Sequence, residues 1–255
     1  MLWHMTIDRV AILVVGDEIL SGDTEEANAG HMARALFDRG VSLGRIVVVP
    51  DTTDEIASQV AVLAKEFDVV ITCGGIGPTH DDVTLESIAQ AFDVPLIEHP
   101  ELMALLHKWR GDDLDEGHRR LARVPAPTML HWYDDAFPLL QVNNVYVLPG
   151  VPRLLRQKLA HLLGRLAGEP QHQRQFSVTQ DELSIADVLS AIQDRSPTVS
   201  VGSYPHTTAP GQWSLRLVLK SRDEDALDRA CADLQSHLGG AQELDLTGSE
   251  PETST

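Results

Sequence analysis

An apolar run over residues 67–72 passes straight into Cys73-Gly74-Gly75-Ile76-Gly77-Pro78-Thr79-His80-Asp81-Asp82, and a helical pattern follows at once. A strand joined to a helix through such a loop is half of a βαβ unit. It therefore calls for a sheet with helices packed on its faces. Glycines lack Cβ, so the backbone can turn sharply there and bring its N–H groups close to an anion. The helix that follows adds the positive end of its dipole. A phosphate group suits the loop, but Asp81 and Asp82 would repel a bare one. The two acids make sense once a divalent cation stands between them and the phosphate.

The rest of the chain repeats the alternation. Residues 10–15 are a continuous apolar run ending at Gly16, as expected of a strand buried on both faces. Residues 28–38 have helical spacing, with Met32, Ala35 and Leu36 on one side and Gly40 as the stop. A second strand over 43–49 ends at Pro50-Asp51, and a helix over 53–65 carries Ile56, Val60 and Leu63 as its apolar stripe. A short helix over 85–92 follows the glycine loop. Residues 99–123 read as helix interrupted around 111–113, and residues 124–127 as a break. A further strand over 144–148 turns through Pro149-Gly150-Val151-Pro152 into a helix over 153–166.

Gly168-Glu169-Pro170 and the Gln/His-rich stretch after it form a linker. Beyond it, 175–178, 184–192, 198–202, 213–219 and 223–238 read as β-α-β-β-α. The expected organisation is an α/β domain over residues 1–168, a small βαββα module over 172–240, and an acidic disordered tail over 241–255. In the first domain a mostly parallel sheet lies between two helical layers.

Composition removes several classes of function. The chain has 255 residues, 43% hydrophobic and 23% charged, an ordinary balance for a globular protein. No stretch approaches the roughly 20 apolar residues that span a bilayer, so no membrane partner is expected. The first residues lack the pattern of a secretion signal. Cys73 and Cys231 share no CxxC spacing, which fits a reducing cytoplasm. A net charge of -18 argues against nucleic acid.

Parallel strands carry their carboxyl ends on one edge, where open α/β sheets bind ligands. Gly16-Asp17-Glu18, Pro50-Asp51 and the loop over 74–82 all fall on that edge. Asp17 and Glu18 are either a solvated pair or, beside a third acidic loop, a metal or general-base site. Asp51 is either a turn residue or part of the same cleft. Asp81 or Asp82 could equally cap the following helix. Asn28 is a helix cap or a group that holds the loop against a ligand. Gly150 belongs to a structural turn that can lend an amide. His80 is a phosphate contact or a solvated side chain, and Arg153 a candidate for charge compensation. Cys73 reads as a small packed residue, and Tyr204 as packing or a platform for a base.

The segment Gly74-Gly75-Ile76-Gly77-Pro78-Thr79-His80-Asp81-Asp82-Val83-Thr84 resembles the GG-x-GPT-x-DD-x-T signature of the molybdopterin-binding (MoaB/MogA-like) superfamily. Val15-Gly16-Asp17-Glu18-Ile19-Leu20-Ser21-Gly22 with Asn28, and the later Pro149-Gly150-Val151-Pro152, resemble its CinA branch. The same segments, with Gly202-Ser203-Tyr204-Pro205, are similar to the molybdopterin-binding-like domain of eukaryotic FAD synthases. The resemblance implies a three-layer fold, a KH-like C-terminal module and a homo-oligomer.

It also implies one of two activities. The first is a metal-dependent nucleotide pyrophosphatase that splits FAD or ADP-ribose at the diphosphate. The second is a molybdopterin-binding protein that carries or adenylylates the cofactor precursor. Either uses a divalent cation, Mg with Co or Ni as alternatives. On the family pattern Asp82, ahead of Asp81, is the metal-linked acid, with Glu18 and Asp51 as its catalytic partners. Gly16, Asp17, Asn28, Gly74, Gly75, Gly77, Pro78, Thr79, His80 and Gly150 would line the ligand. Cys73 and Ala27 stand where many members carry Thr, a departure that bears on pterin recognition.

Overall fold

The computed structural model describes residues 9–133, 136–166, 168–209 and 212–244. The chain divides into two compact units, 1–168 and 169–255. In the first, β1 (Val10–Val15), β2 (Leu43–Val49), β3 (Val69–Cys73), β6 (Met129–His131), β7 (Leu139–Val142) and β8 (Val145–Leu148) form one sheet in the order β2-β1-β3-β8-β7-β6. β2, β1, β3 and β8 run parallel, whereas β7 runs against β8 and β6 against β7.

The helices α2 (Asn28–Phe37), α3 (Thr53–Glu66), α4 (Thr84–Ala91) and α7 (Pro152–Leu163) cover the two faces. Strand β1 shows why its sequence is apolar throughout. Ala11, Leu13 and Val15 pack into the core under α3 and α4, while Val10, Ile12 and Val14 pack into the core under α2 and α7. No residue of β1 is more than 3% exposed. A strand with a helical layer on each side has no polar face left to present.

Several elements depart from the sequence reading. A single helical turn, α1 (Asp17–Leu20), occupies the loop after β1. The strand expected over 67–72 begins at Val69. Phe67 instead ends α3, and its ring carries the Arg9 and Arg45 guanidiniums at 4.7 and 5.4 Å. Residues 99–123 split into α5 (Pro100–Arg110) and α6 (Glu116–Ala122). The expected break at 124–127 contains β5 (Arg123–Pro125), which pairs with β4 (Leu96–Glu98) as a separate antiparallel ribbon.

The hairpin of β7 and β8 turns at Asn143 (φ 53°) and Asn144, whose side-chain amide donates to the carbonyls of Ala64 and Phe67. Lys158, on α7, is 7% exposed and donates to the Phe137 and Pro138 carbonyls just ahead of β7.

The second unit is an antiparallel sheet in the order β10-β11-β9-β12, made of β9 (His172–Val178), β10 (Ser200–Ala209), β11 (Gln212–Ser221) and β12 (Gln242–Glu243). Helices α8 (Glu182–Arg195) and α9 (Glu224–His237) close a separate core around Phe176, Leu217 and Leu234. β12 lies inside the segment expected as a disordered tail and pairs with β9, so the fold reaches further than composition indicated. The rest of that tail, 245–255, lies outside the described residues. Among the described residues no helix is long and apolar enough to cross a membrane.

Candidate functional site

The parallel register of β2, β1, β3 and β8 sets four carboxyl ends side by side. Consecutive loops leave in opposite directions from β1, the arrangement that opens a crevice in doubly wound sheets. Backbone packing at this edge is too tight for side chains. A Cβ on Gly74 (φ 106°) would stand 2.2 Å from the Val15 carbonyl oxygen, and one on Gly75 (φ 64°) 2.3 Å from the Thr84 hydroxyl. Both positions combine a left-handed backbone with no room, so glycine is the residue that fits. Gly150 lies against the Gly74 Cα. Asn28 locks the same corner by donating to the Gly150 carbonyl at 2.8 Å and to the Cys73 sulfur at 3.6 Å. It does not cap α2. The Glu26 carboxylate takes the Ala29 amide there.

The glycine loop closes on itself. The Gly74 amide donates to Leu148, the Thr84 amide donates to Gly75, and the buried Thr84 hydroxyl donates to Gly74 at 3.0 Å. Asp82 Oδ2 accepts both the amide and the hydroxyl of Thr79, at 2.9 and 2.5 Å. Neither Asp81 nor Asp82 caps α4, whose N-cap residue is Val83. Among the described residues, the amides of Gly75, Ile76 and Gly77 donate to no acceptor. Three successive open amides on a glycine turn form a cradle suited to an oxyanion.

The acids gather beside this cradle. The Asp17 amide donates to Asp51 Oδ2 at 2.8 Å, tying the loop after β1 to the loop after β2. Burial raises the Asp51 carboxyl above the ordinary range, and the charges of Asp17, Glu18 and Asp81 add to the rise. The Asp17 amide opposes it. A carboxylate that feels three others is a group whose charge a cation would relieve. Glu18 folds back over Gly16, where a Cβ would meet its Oε2 at 2.6 Å.

Asp81 is the acid of the glycine loop that acts on Asp51, whereas Asp82 commits one oxygen to Thr79. Among the described residues no three His, Cys, Asp or Glu side chains stand close enough to form a metal cage of their own. A cation held here would need a ligand's own oxygens besides one or two carboxylates.

The other expected residues fall into place around it. His80 is exposed, with Nδ1 3.8 Å from Asp81. Pro78 and Thr79 form the exposed tip of the loop, and Gly77 leaves room for the Asp82 carboxylate. Burial pushes the Cys73 thiol up to about 12, with Glu26 and Glu18 adding to it, so it is an inert packed group. Arg153 is exposed in the first turn of α7. Tyr204 belongs to the second unit, where the Arg216 guanidinium lies 5.8 Å from its ring centroid.

The sequence reading missed Arg120, whose Nη1 donates to the Thr79 carbonyl at 2.6 Å from α6. Nothing local marks a residue 41 positions from its partner. It also gave no role to Thr84, whose hydroxyl holds the loop shut.

Comparison with known families matches residues 11–168 to a family described as "Probable molybdopterin binding domain", and residues 170–245 to "FAD synthase, middle domain". A protein from Archaeoglobus fulgidus is 35% identical, covering 89% of this chain and 96% of its own. A "Probable FAD synthase" from Caenorhabditis elegans is 28% identical, covering 90% of this chain and 50% of its own, so the chain spans about half of that relative. Among solved structures, CinA from Thermoplasma acidophilum, whose function is described as unknown, is 30% identical with a TM-score of 0.57. The match covers 61% of this chain and 96% of that one.

Proposed function

This chain belongs to the molybdopterin-binding domain family, and on that premise we propose that its first unit is a metal-dependent nucleotide pyrophosphatase that hydrolyses FAD or ADP-ribose at the diphosphate. The observation that carries the reading is the pairing of two opposed features on one sheet edge. The Gly75, Ile76 and Gly77 amides have no acceptor among the described residues. Beside them the Asp51 carboxyl feels the charges of Asp17, Glu18 and Asp81. An anion enters such a place in company with a cation. A bridging diphosphate with a divalent ion fits both halves. The match of residues 170–245 to a domain found in FAD synthases supports a flavin or adenine dinucleotide as the ligand.

Mg, or Co or Ni in its place, would be held by Asp81 and by the second oxygen of Asp82. It would neutralise the charge that builds on the phosphate oxygens. The glycine amides hold the phosphate being attacked and favour its extra negative charge. Asp51, its Oδ2 set by the Asp17 amide, takes the proton of the attacking water on its other oxygen. Water oxygen bonds to one phosphorus, the P–O–P bridge breaks, and the bridging oxygen leaves with the other phosphate. FAD gives AMP and FMN, and ADP-ribose gives AMP and ribose 5-phosphate. Glu18, beside Asp51, orients the water or the cation.

The family description itself favours a second reading, a protein that binds molybdopterin and carries or adenylylates it. One experiment separates the two. The protein is incubated with FAD or ADP-ribose and Mg, Co or Ni, with and without EDTA, and AMP is measured by chromatography. Metal-dependent AMP that disappears in Asp51→Asn and Asp81→Asn supports the hydrolase. No AMP with any metal, together with tight pterin binding, would overturn it in favour of the second reading.

A further inference from the structure

We propose that Arg120 is the positioning residue of the phosphate loop, fixing its tip from α6 and setting a positive charge at its rim for a diphosphate substrate. The inference rests on the hydrolase reading and deepens it by naming the cation that the chain itself supplies.

Three groups hold one another in series. Arg120 Nη1 donates to the Thr79 carbonyl at 2.6 Å, and Thr79 gives its amide and its hydroxyl to Asp82. Charge-assisted hydrogen bonds of this kind are the strong ones, and a carbonyl held from outside fixes the peptide that carries it. A second contact braces the same point. Gly117 lies against Pro78, where a Cβ would meet the Pro78 Cβ at 3.5 Å and its carbonyl oxygen at 3.6 Å. α6 is itself capped, because Asp115 Oδ1 accepts the His118 amide at 2.9 Å and stands 2.6 Å from its ring Nδ1. The loop tip is thus clamped from the outside, while its three open amides are left untouched.

The charges on α6 and β5 separate Arg120 from its neighbours. Arg119 pairs with Glu98 at 3.6 Å, and Arg123 pairs with Glu116 and Glu98 at 2.6 and 3.5 Å. Among the described residues no carboxylate pairs with Arg120. The nearby Thr79 side chain first, then the Asp81 amide, and after them the charges of His80 and Arg120, hold the Asp81 carboxyl below the usual range. In a chain of net charge -18, an arginine that makes no ion pair among the described residues and stands at the edge of an anion cradle is a local reversal of the protein's field.

The test compares Arg120→Ala, Arg120→Lys and a control, Arg119→Ala, with the wild type. Steady-state AMP release from ADP-ribose with Mg is measured alongside amide hydrogen exchange over 74–82. Arg120→Ala should lose about tenfold to hundredfold in kcat with KM moving little, and exchange in the loop should quicken. Arg120→Lys should restore part of both, and Arg119→Ala should match the wild type. Wild-type kcat and wild-type loop exchange in Arg120→Ala would overturn the proposal, as would a loss that Arg119→Ala reproduces. A wild type without activity on any nucleotide diphosphate would sink the hydrolase reading instead. The exchange arm would still decide for or against the clamp.

Discussion

Alkaline pH should stabilise this protein relative to a Lys158→Met variant. Lys158 is 7% exposed, and its amine donates to the Phe137 and Pro138 carbonyls at 2.8 and 2.6 Å and lies 5.5 and 5.3 Å from the Tyr133 and Phe137 ring centroids. Burial lowers its pKa from 10.5 to about 8. Between those values the unfolded chain binds the proton and the folded chain releases it, so stability rises with pH across that window. Below the folded value both states are charged and the contribution is flat.

At about 1.4 kcal/mol per pH unit, the full rise is ~3 kcal/mol. The two carbonyls and two ring faces favour the ammonium form, so this figure is an upper bound. The assay is urea unfolding of both proteins at a series of pH values from neutral to the unfolded pKa of 10.5. Methionine keeps the stem without the charge, and the carbonyls it leaves undonated cost the same at every pH. The gap between the two proteins should therefore move toward the wild type by up to ~3 kcal/mol across the window. Parallel curves, or a gap that moves the other way, would refute the account of a desolvated amine.

Three further outcomes follow from the site. Asp51→Asn should raise the melting temperature at neutral pH while abolishing AMP release, because the folded carboxyl is raised and its ionisation works against folding. The gain should vanish as pH falls below the ordinary carboxylate value of 3.8, and a variant no more stable than wild type at neutral pH would contradict the crowding of acids. Gly74→Ala should cost about 3 kcal/mol or more in denaturant unfolding, since its Cβ meets the Val15 carbonyl at 2.2 Å on a left-handed backbone. Gly16→Ala should cost under about 1 kcal/mol, because φ there is 165° and the clash is with the mobile end of Glu18. The same change should lower AMP release roughly tenfold by turning Glu18 aside, and unchanged turnover would remove Glu18 from the reaction.

Much of the first unit was legible because local signals agreed with the global fold. Runs such as 10–15 are apolar throughout only when helices cover both faces, so a buried parallel strand could be read directly. The glycine loop was legible for the same reason, since its residues are fixed by backbone geometry that belongs to the loop itself. The antiparallel edge was not. β6 has three residues and β7 four, too short for a period to show, and the Asn143-Asn144 turn was the one cue that a hairpin precedes β8. β12 escaped because a two-residue strand at a polar terminus is held by its partner β9 and carries no pattern of its own.

The amino-acid order by itself determined which segments are strands with two covered faces, where the chain must turn through glycine, and that acids follow the loop. Those properties reside in neighbouring residues and need no distant partner. Only the tertiary structure decided which acids share a charge environment and which are spent on the backbone. The Asp17 amide selects Asp51 from 34 residues away, Thr79 occupies Asp82, and Arg120 reaches back 41 residues to clamp the loop. Side-chain chemistry at a sheet edge depends on which loops the strand order brings together, and no local stretch of sequence records that order.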